Sequence, residues 1–270
     1  MLKGYYILIG MSLFSMMFLT CDQTENNMVE LDSAVIDSLM SDYNLANGPG
    51  AALTIIENGY IIYSKGYGLA NLEEDIPIIS GTNFRLASIT KQFTAMCIMI
   101  LQSRGQLNYE QTLTDLFPDF PNYGNEITIR HLLHHTSGLR DYFSLIPGNV
   151  IEQIHDDDVL SMMMEQTSTY FMPGSEYQYS NSGYAVLAMI VEQISGLSFA
   201  NFLSENIFIP LNMEGSIAFE EGISTVPSRA YGYSYSGDHY ILNDQSLTSA
   251  VLGDGGIYTS TDDLFKWDQG

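Results

Sequence analysis

The chain has 270 residues, of which 46% are hydrophobic and 15% charged, so it can build a sizeable core and is not intrinsically disordered. Acidic side chains number 32 against 9 basic ones, and the formal net charge is −23. A field of this sign repels phosphate backbones and anionic lipid headgroups, so we expect no nucleic acid partner.

The N-terminus has the features of an export signal. Lys3 is followed by an apolar run from Tyr5 to Leu19, as in a secretory signal. The run is short for a membrane span, which needs about 20 apolar residues. Phe18-Leu19-Thr20-Cys21 resembles a loose bacterial lipobox, in which the cysteine becomes the lipidated first residue.

We therefore expect residues 1–21 to be an export signal, residues 22–29 a polar tether and residues 30–270 the folded domain. Lipidation of Cys21 would anchor the protein in the bacterial cell envelope, facing the periplasm or the outside. The alternative is a cleaved signal, or an uncleaved anchor, with an incidental cysteine. Cys97, in an apolar stretch, is expected to be a buried hydrophobic residue rather than a reactive thiol.

The domain is predicted to open with a helix and a β-hairpin. Residues 30–45 have a helical spacing of apolar side chains, which is carried by Val35, Ile36, Leu39 and Met40. Gly48-Pro49-Gly50 ends this helix. Two β-rich runs, Ala51 to Glu57 and Tyr60 to Gly66, then flank Asn58-Gly59, and Asn-Gly in this position is the strongest short hairpin signal.

Helices are predicted to dominate the middle of the chain. We expect them over Ser88 to Arg104, 126–135, 157–168, from Asn181 or Ser182 to a closing Gly196, and over Ser198 to Asn206. Residues 216–252 are rich in Gly, Ser and Tyr, which predicts loops and short strands. Thr261 is predicted to cap a final helix, with Asp262 and Asp263 in its first turn, where the helix dipole favours negative charge.

Ser88-Ile89-Thr90-Lys91 is the first segment with the features of a catalytic site. Side chains three residues apart on a helix share one face, so Ser88 and Lys91 are expected within hydrogen-bond reach. A serine hydroxyl becomes a good nucleophile when a base takes its proton, and a lysine can be that base where burial favours its neutral form. We also expect Ser88 to lie at the helix N-terminus, where free N–H groups stabilise a developing oxyanion.

Tyr179-Ser180-Asn181 is the second candidate segment. A tyrosine beside a lysine ammonium loses its proton more readily and can act as a base or relay, and an asparagine amide can bind a peptide-like substrate. Tyr123-Gly124-Asn125 has the same spacing, but Tyr179 is preferred because Pro173-Gly174 precedes it and a strong helix follows. We expect the Tyr179 hydroxyl to lie within hydrogen-bond reach of Ser88 and Lys91.

Five ordered segments resemble those of the class C β-lactamase and penicillin-binding-protein superfamily. They are 88–94 (Ser-Ile-Thr-Lys-Gln-Phe-Thr), 132–139 (Leu-Leu-His-His-Thr-Ser-Gly-Leu), 173–184 with its Tyr-Ser-Asn, 207–213 and 255–260. The resemblance covers nearly all of residues 30–270. It implies an α+β fold in which an antiparallel sheet is flanked by helices and joined to a mainly helical lobe.

The same resemblance implies a serine hydrolase that acts on an amide or ester through an acyl-enzyme and needs no cofactor. Ser88 would be the nucleophile, Lys91 and Tyr179 would handle its proton, and Asn181 would bind substrate. The family's substrates are β-lactams, D-amino-acid peptides and small esters, and the sequence does not choose among them. The alternative is a non-catalytic binding module of the same fold, which has no need to keep all four residues.

One motif of the superfamily has no counterpart in this sequence. The family carries Lys-Thr-Gly or His-x-Gly on a strand beyond the matched region, and that strand supplies an oxyanion N–H and pairs with the N-terminal hairpin. The resemblance therefore predicts that the C-terminal strands are missing and that residues 1–270 alone are poor catalysts.

Other constellations are weaker. His131, His134 and His135 have spacings found in metal sites, but no third-ligand pattern such as His-Glu-x-x-His accompanies them, so we expect a structural role and no metal. Asp156-Asp157-Asp158 is typical of a solvated helix start. No Gly-x-Ser-x-Gly elbow is present, which argues against an α/β-hydrolase.

Overall fold

Residues 31–270 are described by a computed structural model, and residues 32–270 form one compact unit. The predicted export signal (1–21), Cys21 as its lipidation site and the predicted tether (22–29) lie outside the described residues. Within 31–270, no single helix is long and apolar enough to cross a membrane. Two consecutive helices, Asn181–Ser195 and Phe199–Phe208, are together long and apolar enough to cross a membrane, but their axes are bent by 79° relative to each other.

The regular structure is mainly helical. The helices are α1 (Ser33–Leu39), α2 (Lys91–Ser103), α3 (Leu113–Leu116), α4 (Ile129–Leu133), α5 (Asp156–Met164), α6 (Asn181–Ser195), α7 (Phe199–Leu203), α8 (Leu252–Gly255) and α9 (Thr261–Gln269). A 3₁₀ turn, Ala87–Thr90, leads into α2, and α7 continues as a π-helix, Ser204–Phe208.

The strands are short and pair antiparallel in small sheets. They are β1 (Ala51–Glu57), β2 (Tyr60–Tyr67), β3 (Leu69–Asn71), β4 (Ile76–Pro77), β5 (Phe84–Arg85), β6 (Ile217–Ala218), β7 (Tyr233–Tyr235), β8 (Tyr240–Leu242) and β9 (Ile257–Thr259). β1 pairs with β2, β3 with β4 and β7 with β8, while β9 lies between β5 and β6. The predicted α+β class is confirmed, with the strands spread over several sheets.

The centre of the fold is α6, which packs against α2, α4, α5, α7 and α8. Its apolar face is buried at Val186, Leu187, Ile190 and Val191, and Ile194 packs partly buried against the same core. The helix begins where the Ser180 side chain accepts a hydrogen bond from the Gly183 N–H (3.0 Å). It ends at Gly196, whose φ of 72° is the left-handed conformation of a glycine C-cap.

The predicted hairpin is confirmed. β1 and β2 pair antiparallel from Ala51 opposite Tyr67 to Glu57 opposite Tyr60, with a shift of register between Ile55 and Ile56. Asn58 and Gly59 both have positive φ, 51° and 80°, as a two-residue turn between twisted strands requires.

The first helix is shorter than the sequence predicts and is held differently. α1 covers Ser33–Leu39 rather than 30–45, and Val35 and Leu39 are exposed although the apolar spacing predicted them to be buried. The helix is fastened instead through Asp37, which accepts hydrogen bonds from Lys65 (2.7 Å) and Tyr67 (2.8 Å) of β2. Of the predicted apolar face only Ile36 is buried, and the polar contacts of Asp37 leave no trace in the hydrophobic pattern.

Other helix ends also differ from prediction. Ser260, not Thr261, caps α9, because its side chain accepts from the Asp263 N–H (3.1 Å). α5 covers Asp156–Met164 instead of 157–168, and Asp156 is buried rather than solvated. Its carboxylate accepts from the backbone N–H groups of Leu252 (2.7 Å) and Gly253 (3.0 Å), which ties α5 to α8.

Candidate active site

Ser88 lies in the 3₁₀ turn that joins β5 to α2, and the sequence prediction that it begins the α-helix is wrong. α2 starts three residues later, at Lys91. Ala87, just before the serine, has a φ of 48°, a left-handed conformation that disfavours residues with a β-carbon. Backbone strain of this kind clusters at functional sites, where the surrounding structure holds it in place.

Lys91 is buried, with 7% of its surface exposed, and its Nζ joins three parts of the site. It donates to the Asn181 side-chain carbonyl (2.8 Å), to the Asp254 backbone carbonyl (2.8 Å) and, more weakly, to Ser88 Oγ (3.4 Å). An ammonium group has three N–H donors for these three acceptors. A neutral amine keeps two N–H donors for the carbonyl oxygens and turns its lone pair toward the serine. The arrangement therefore suits transfer of one proton between Ser88 and Lys91.

Tyr179 reaches this site with its ring. Lys91 Nζ lies 5.0 Å from the centroid of the Tyr179 ring, within the range of a cation–π contact. In the described part of the chain no hydrogen bond joins the Tyr179 hydroxyl to Ser88 or Lys91, so the predicted three-way hydroxyl contact is not formed. Tyr123, with the same Tyr-x-Asn spacing, donates its hydroxyl to the Met163 carbonyl (2.5 Å) and has a structural role.

An open cavity of about 120 Å³ lies beside the serine. Its lining includes Arg85, Ser88, Tyr142, Phe143, Asn181 and Asp254. Asp254 is 7% exposed, and its carboxylate accepts from the Tyr142 hydroxyl (3.0 Å). Burial raises the pKa of Asp254 to about 6, against the opposing effects of the Lys91 charge and the Tyr142 hydrogen bond. A titratable carboxyl group thus faces the same cavity as the candidate nucleophile.

Comparison with known proteins places the chain in one family. Residues 35–270 match the Beta-lactamase family. The chain belongs to the Beta-lactamase family. Penicillin-binding protein 4* of Bacillus subtilis is 37% identical over 227 residues, which are 79% of this chain and 50% of that protein. The D-aminopeptidase of Gluconobacter oxydans is 33% identical over 231 residues, 82% of this chain and 42% of that protein.

Solved structures of the Beta-lactamase family share the fold. The penicillin-binding protein of Bacillus halodurans superposes with a TM-score of 0.71 at 30% identity, over 86% of this chain and 70% of that one. The octameric penicillin-binding protein homologue from Pyrococcus abyssi superposes with a TM-score of 0.72 at 26% identity. The superposition covers 88% of this chain and 55% of that one. The chain spans about half the length of the curated relatives it matches.

The structure brings three of the sequence-predicted residues of the candidate site together, although their segments are far apart in the chain. Ser88, Lys91 and Asn181 are linked by hydrogen bonds through Lys91 Nζ. Sequence reasoning missed Asp254, whose backbone carbonyl binds Lys91 Nζ, and the buried Tyr142, whose hydroxyl donates to the Asp254 carboxylate. Asp254 stands before Gly255-Gly256 in a matched segment, and a carboxyl group inside the otherwise apolar stretch from Val251 to Tyr258 was the available signal.

The histidines have distinct environments. His131 belongs to a capping box with Thr128 at the start of α4. His135 packs beside Tyr179, with ring centroids 4.6 Å apart. Among residues 31–270, no group of three or more His, Cys, Asp or Glu side chains is arranged to hold a metal ion.

Proposed function

We propose that this chain is a serine hydrolase that cleaves an amide or ester through an acyl-enzyme on Ser88. The observation that supports the proposal most directly is the position of Lys91 Nζ. It lies 3.4 Å from Ser88 Oγ, while two carbonyl oxygens at 2.8 Å fix its other N–H groups. A nucleophile within reach of an oriented base is the arrangement that covalent catalysis requires.

In the proposed reaction, Ser88 Oγ bonds to the substrate carbonyl carbon while its proton passes to the Lys91 amine. The same proton then goes to the departing amine or alcohol, and an acyl-Ser88 ester remains. Water then adds to the ester carbonyl carbon while Lys91 accepts one of its protons. The bond between the acyl carbon and Ser88 Oγ breaks, Lys91 returns the proton to Oγ, and the acid product leaves. Asn181 holds the lysine and lines the substrate cavity. The Tyr179 ring, which faces Lys91 Nζ, stabilises the ammonium that forms when Lys91 takes the proton.

Amides of D-amino acids and β-lactams are the first substrates to test, with small esters as the further class. The support comes from the relatives, which are named as a penicillin-binding protein and a D-aminopeptidase. Arg85 and Asp254 line the cavity beside Ser88, so it contains groups of both charges, and Lys91 Nζ lies 3.4 Å from Ser88 Oγ.

Covalent labelling tests the nucleophile. The full-length protein is incubated with a fluorophosphonate or a fluorescent penicillin, and the labelled peptide is identified by mass spectrometry. Ser88→Ala should abolish labelling, and Lys91→Ala should slow it by about 10²–10⁴-fold, as expected for loss of a general base. Cys97→Ala is the matched control, because Cys97 is fully buried and burial raises the pKa of its thiol well above the ordinary value. Undiminished labelling of Ser88→Ala would place the nucleophile elsewhere.

We also propose that the protein is exported and lipid-anchored at Cys21, at the bacterial cell surface or in the periplasm. The support is the sequence from Lys3 to Cys21 alone, since this segment lies outside the described residues. Metabolic labelling with a palmitate analogue, followed by membrane fractionation, should show a labelled membrane-bound protein. Cys21→Ala should lose the label, and a label that survives this substitution would contradict the anchor.

A further inference from the structure

His135 holds the backbone on both sides of Tyr179. Its carbonyl accepts from the Gln178 N–H (2.9 Å), and its ring Nδ1 accepts from the Ser180 N–H (3.1 Å). Its ring also packs on the Tyr179 ring, with centroids 4.6 Å apart and planes inclined by 31°. These three contacts form a clamp, in which His135 fixes the backbone of the segment from Gln178 to Ser180 and the plane of the Tyr179 ring.

The clamp is itself rigid. His135 has a φ of 58°, a left-handed conformation, and its N–H donates to the Leu132 carbonyl (3.2 Å) just after α4. Its ring lies 5.0 Å from Tyr184 of α6 and meets Tyr177 edge-on at 5.9 Å. Packing from several directions holds the imidazole in one orientation.

We propose that neutral His135 is a positioning residue for acyl transfer, because it holds Tyr179 and the following Asn181 against Lys91. The inference rests on the proposed function, since Ser88 and Lys91 supply the chemistry that the clamp serves. His135 acts through Tyr179 and Ser180 and touches neither the nucleophile nor the substrate in this role.

The hydrogen bond fixes the charge state that the clamp needs. A backbone N–H can donate only to an unprotonated Nδ1, so the ring proton belongs on Nε2. The titratable groups that face His135 are Lys91 of α2, its neighbour His134, Tyr177 and Tyr179 of the clamped segment, and Tyr184 of α6. Burial lowers the pKa of His135, and the charge of Lys91 lowers it further. Protonation in acid would remove the acceptor and place a second cation near Lys91.

Three variants separate the effects of the Nδ1 acceptor, the ring packing and the charge of His135. Asn has its Oδ1 where His has Nδ1, tolerates a left-handed backbone and does not titrate, so His135→Asn keeps the acceptor at every pH. His135→Phe keeps an aromatic ring and loses the acceptor. His134→Asn is the matched control at the neighbouring position, where no ring stacking and no hydrogen bond to the clamped segment occur in the described chain.

The rate of Ser88 acylation is measured from pH 4.5 to 8.5 in each variant, together with thermal unfolding. His135→Phe should lose about 100-fold at neutral pH, the size expected when a catalytic group is misplaced by about 1 Å. His135→Asn should lose less than about tenfold. In the wild type, the rate should fall in acid, below the ordinary histidine pKa of about 6.5. This fall should be absent or weaker in His135→Asn. It should persist in His134→Asn, shifted only by the loss of the His134 charge near the His135 ring.

A second readout does not depend on catalysis. The Ser180 amide proton should titrate with the His135 ring in NMR spectra of the wild type and should be pH-independent in His135→Asn. Wild-type rates in a folded His135→Phe, or an unchanged acid limb in His135→Asn, would overturn the positioning role. A purely structural residue would instead lower the unfolding temperature and leave the pH profile unchanged. Absence of Ser88 labelling in the wild type would refute the proposed function, and the Ser180 titration would then decide whether the clamp exists.

Discussion

Lys91 shows how a single side chain organises the candidate site. Its Nζ is held by the Asn181 and Asp254 carbonyl oxygens, which come from the start of α6 and from α8. Both oxygens can only accept hydrogen bonds, so they direct two N–H groups away from the serine. The remaining position at the nitrogen points to Ser88 whether it carries a proton or a lone pair. Loss of either carbonyl contact would free the amine to rotate.

The pKa of Asp254 tests how much a single hydrogen bond stabilises the charged form of a buried carboxyl group. The Tyr142 hydroxyl donates to its carboxylate and favours the charged form, so Tyr142→Phe should raise the pKa of Asp254 above its value of about 6. The ring of Tyr142, fully buried, is retained in this variant. Carbon-detected NMR of aspartate carboxyl groups measures the shift. An unchanged or lower Asp254 pKa in the variant would show that the hydrogen bond does not stabilise the carboxylate.

The contact between α5 and α8 gives a prediction at the scale of elements. Burial raises the pKa of Asp156 from 3.8 to about 8, so between these values the folded state binds this proton more tightly than the unfolded state. Its contribution to the free energy of unfolding therefore decreases as pH rises from about 4 to about 8. Asp156→Asn should flatten that slope in urea unfolding experiments. It should lower stability most at acidic pH, because one of the two backbone N–H groups, from Leu252 or Gly253, then faces an amide NH₂ instead of an acceptor.

The control for this experiment is the next residue. Asp157 is exposed on the same first turn, so Asp157→Asn should leave the slope unchanged. Equal slopes in wild type and Asp156→Asn would contradict the raised pKa.

The end of α6 tests the backbone requirement at a helix terminus. Gly196 has a φ of 72°, and a Cβ there would meet nothing within 4 Å, so conformation alone decides the effect of a substitution. Gly196→Ala should lower the free energy of unfolding by about 1–2 kcal/mol, the cost of a left-handed residue with a β-carbon. Gly148 has equally open surroundings without a positive φ, and Gly148→Ala should be neutral or slightly stabilising. Similar losses in both variants would argue against the conformational explanation.

The elements that sequence predicted best are those with a strong local signal. The Asn-Gly turn determines the hairpin at Asn58-Gly59. Apolar periodicity and the closing Gly196 determine the extent of α6. α1 was misjudged because Asp37 attaches it through hydrogen bonds to β2. Asp156 and the Tyr142–Asp254 pair were missed because their partners are about 100 residues away in the chain. Spacing identifies Ser88 and Lys91, but only the folded chain shows which distant residues surround them.

Apolar packing is unevenly distributed over the whole molecule. One buried cluster includes residues from Leu86 to Ile257 and contains most of the buried faces of α2 and α6. None of the residues from Ala51 to Tyr67 belongs to this cluster, and β1 has no fully buried side chain. The candidate site lies within the well-packed part, since Ser88 precedes α2 and Asn181 begins α6.

This distribution predicts unequal local stability. Most side chains of the two-stranded hairpin are only partly buried or exposed, so little apolar packing opposes its local unfolding. The amides of α2 and α6 can exchange only when the core itself unfolds. Amide exchange followed by mass spectrometry should therefore show fast exchange over 51–67 and strong protection over 91–103 and 181–195. Tyr67 is the expected exception within β2, because it is 1% exposed and its hydroxyl is bound to Asp37. Equal protection of the hairpin and the two helices would mean that the hairpin unfolds only with the core, and that the molecule is one cooperative unit.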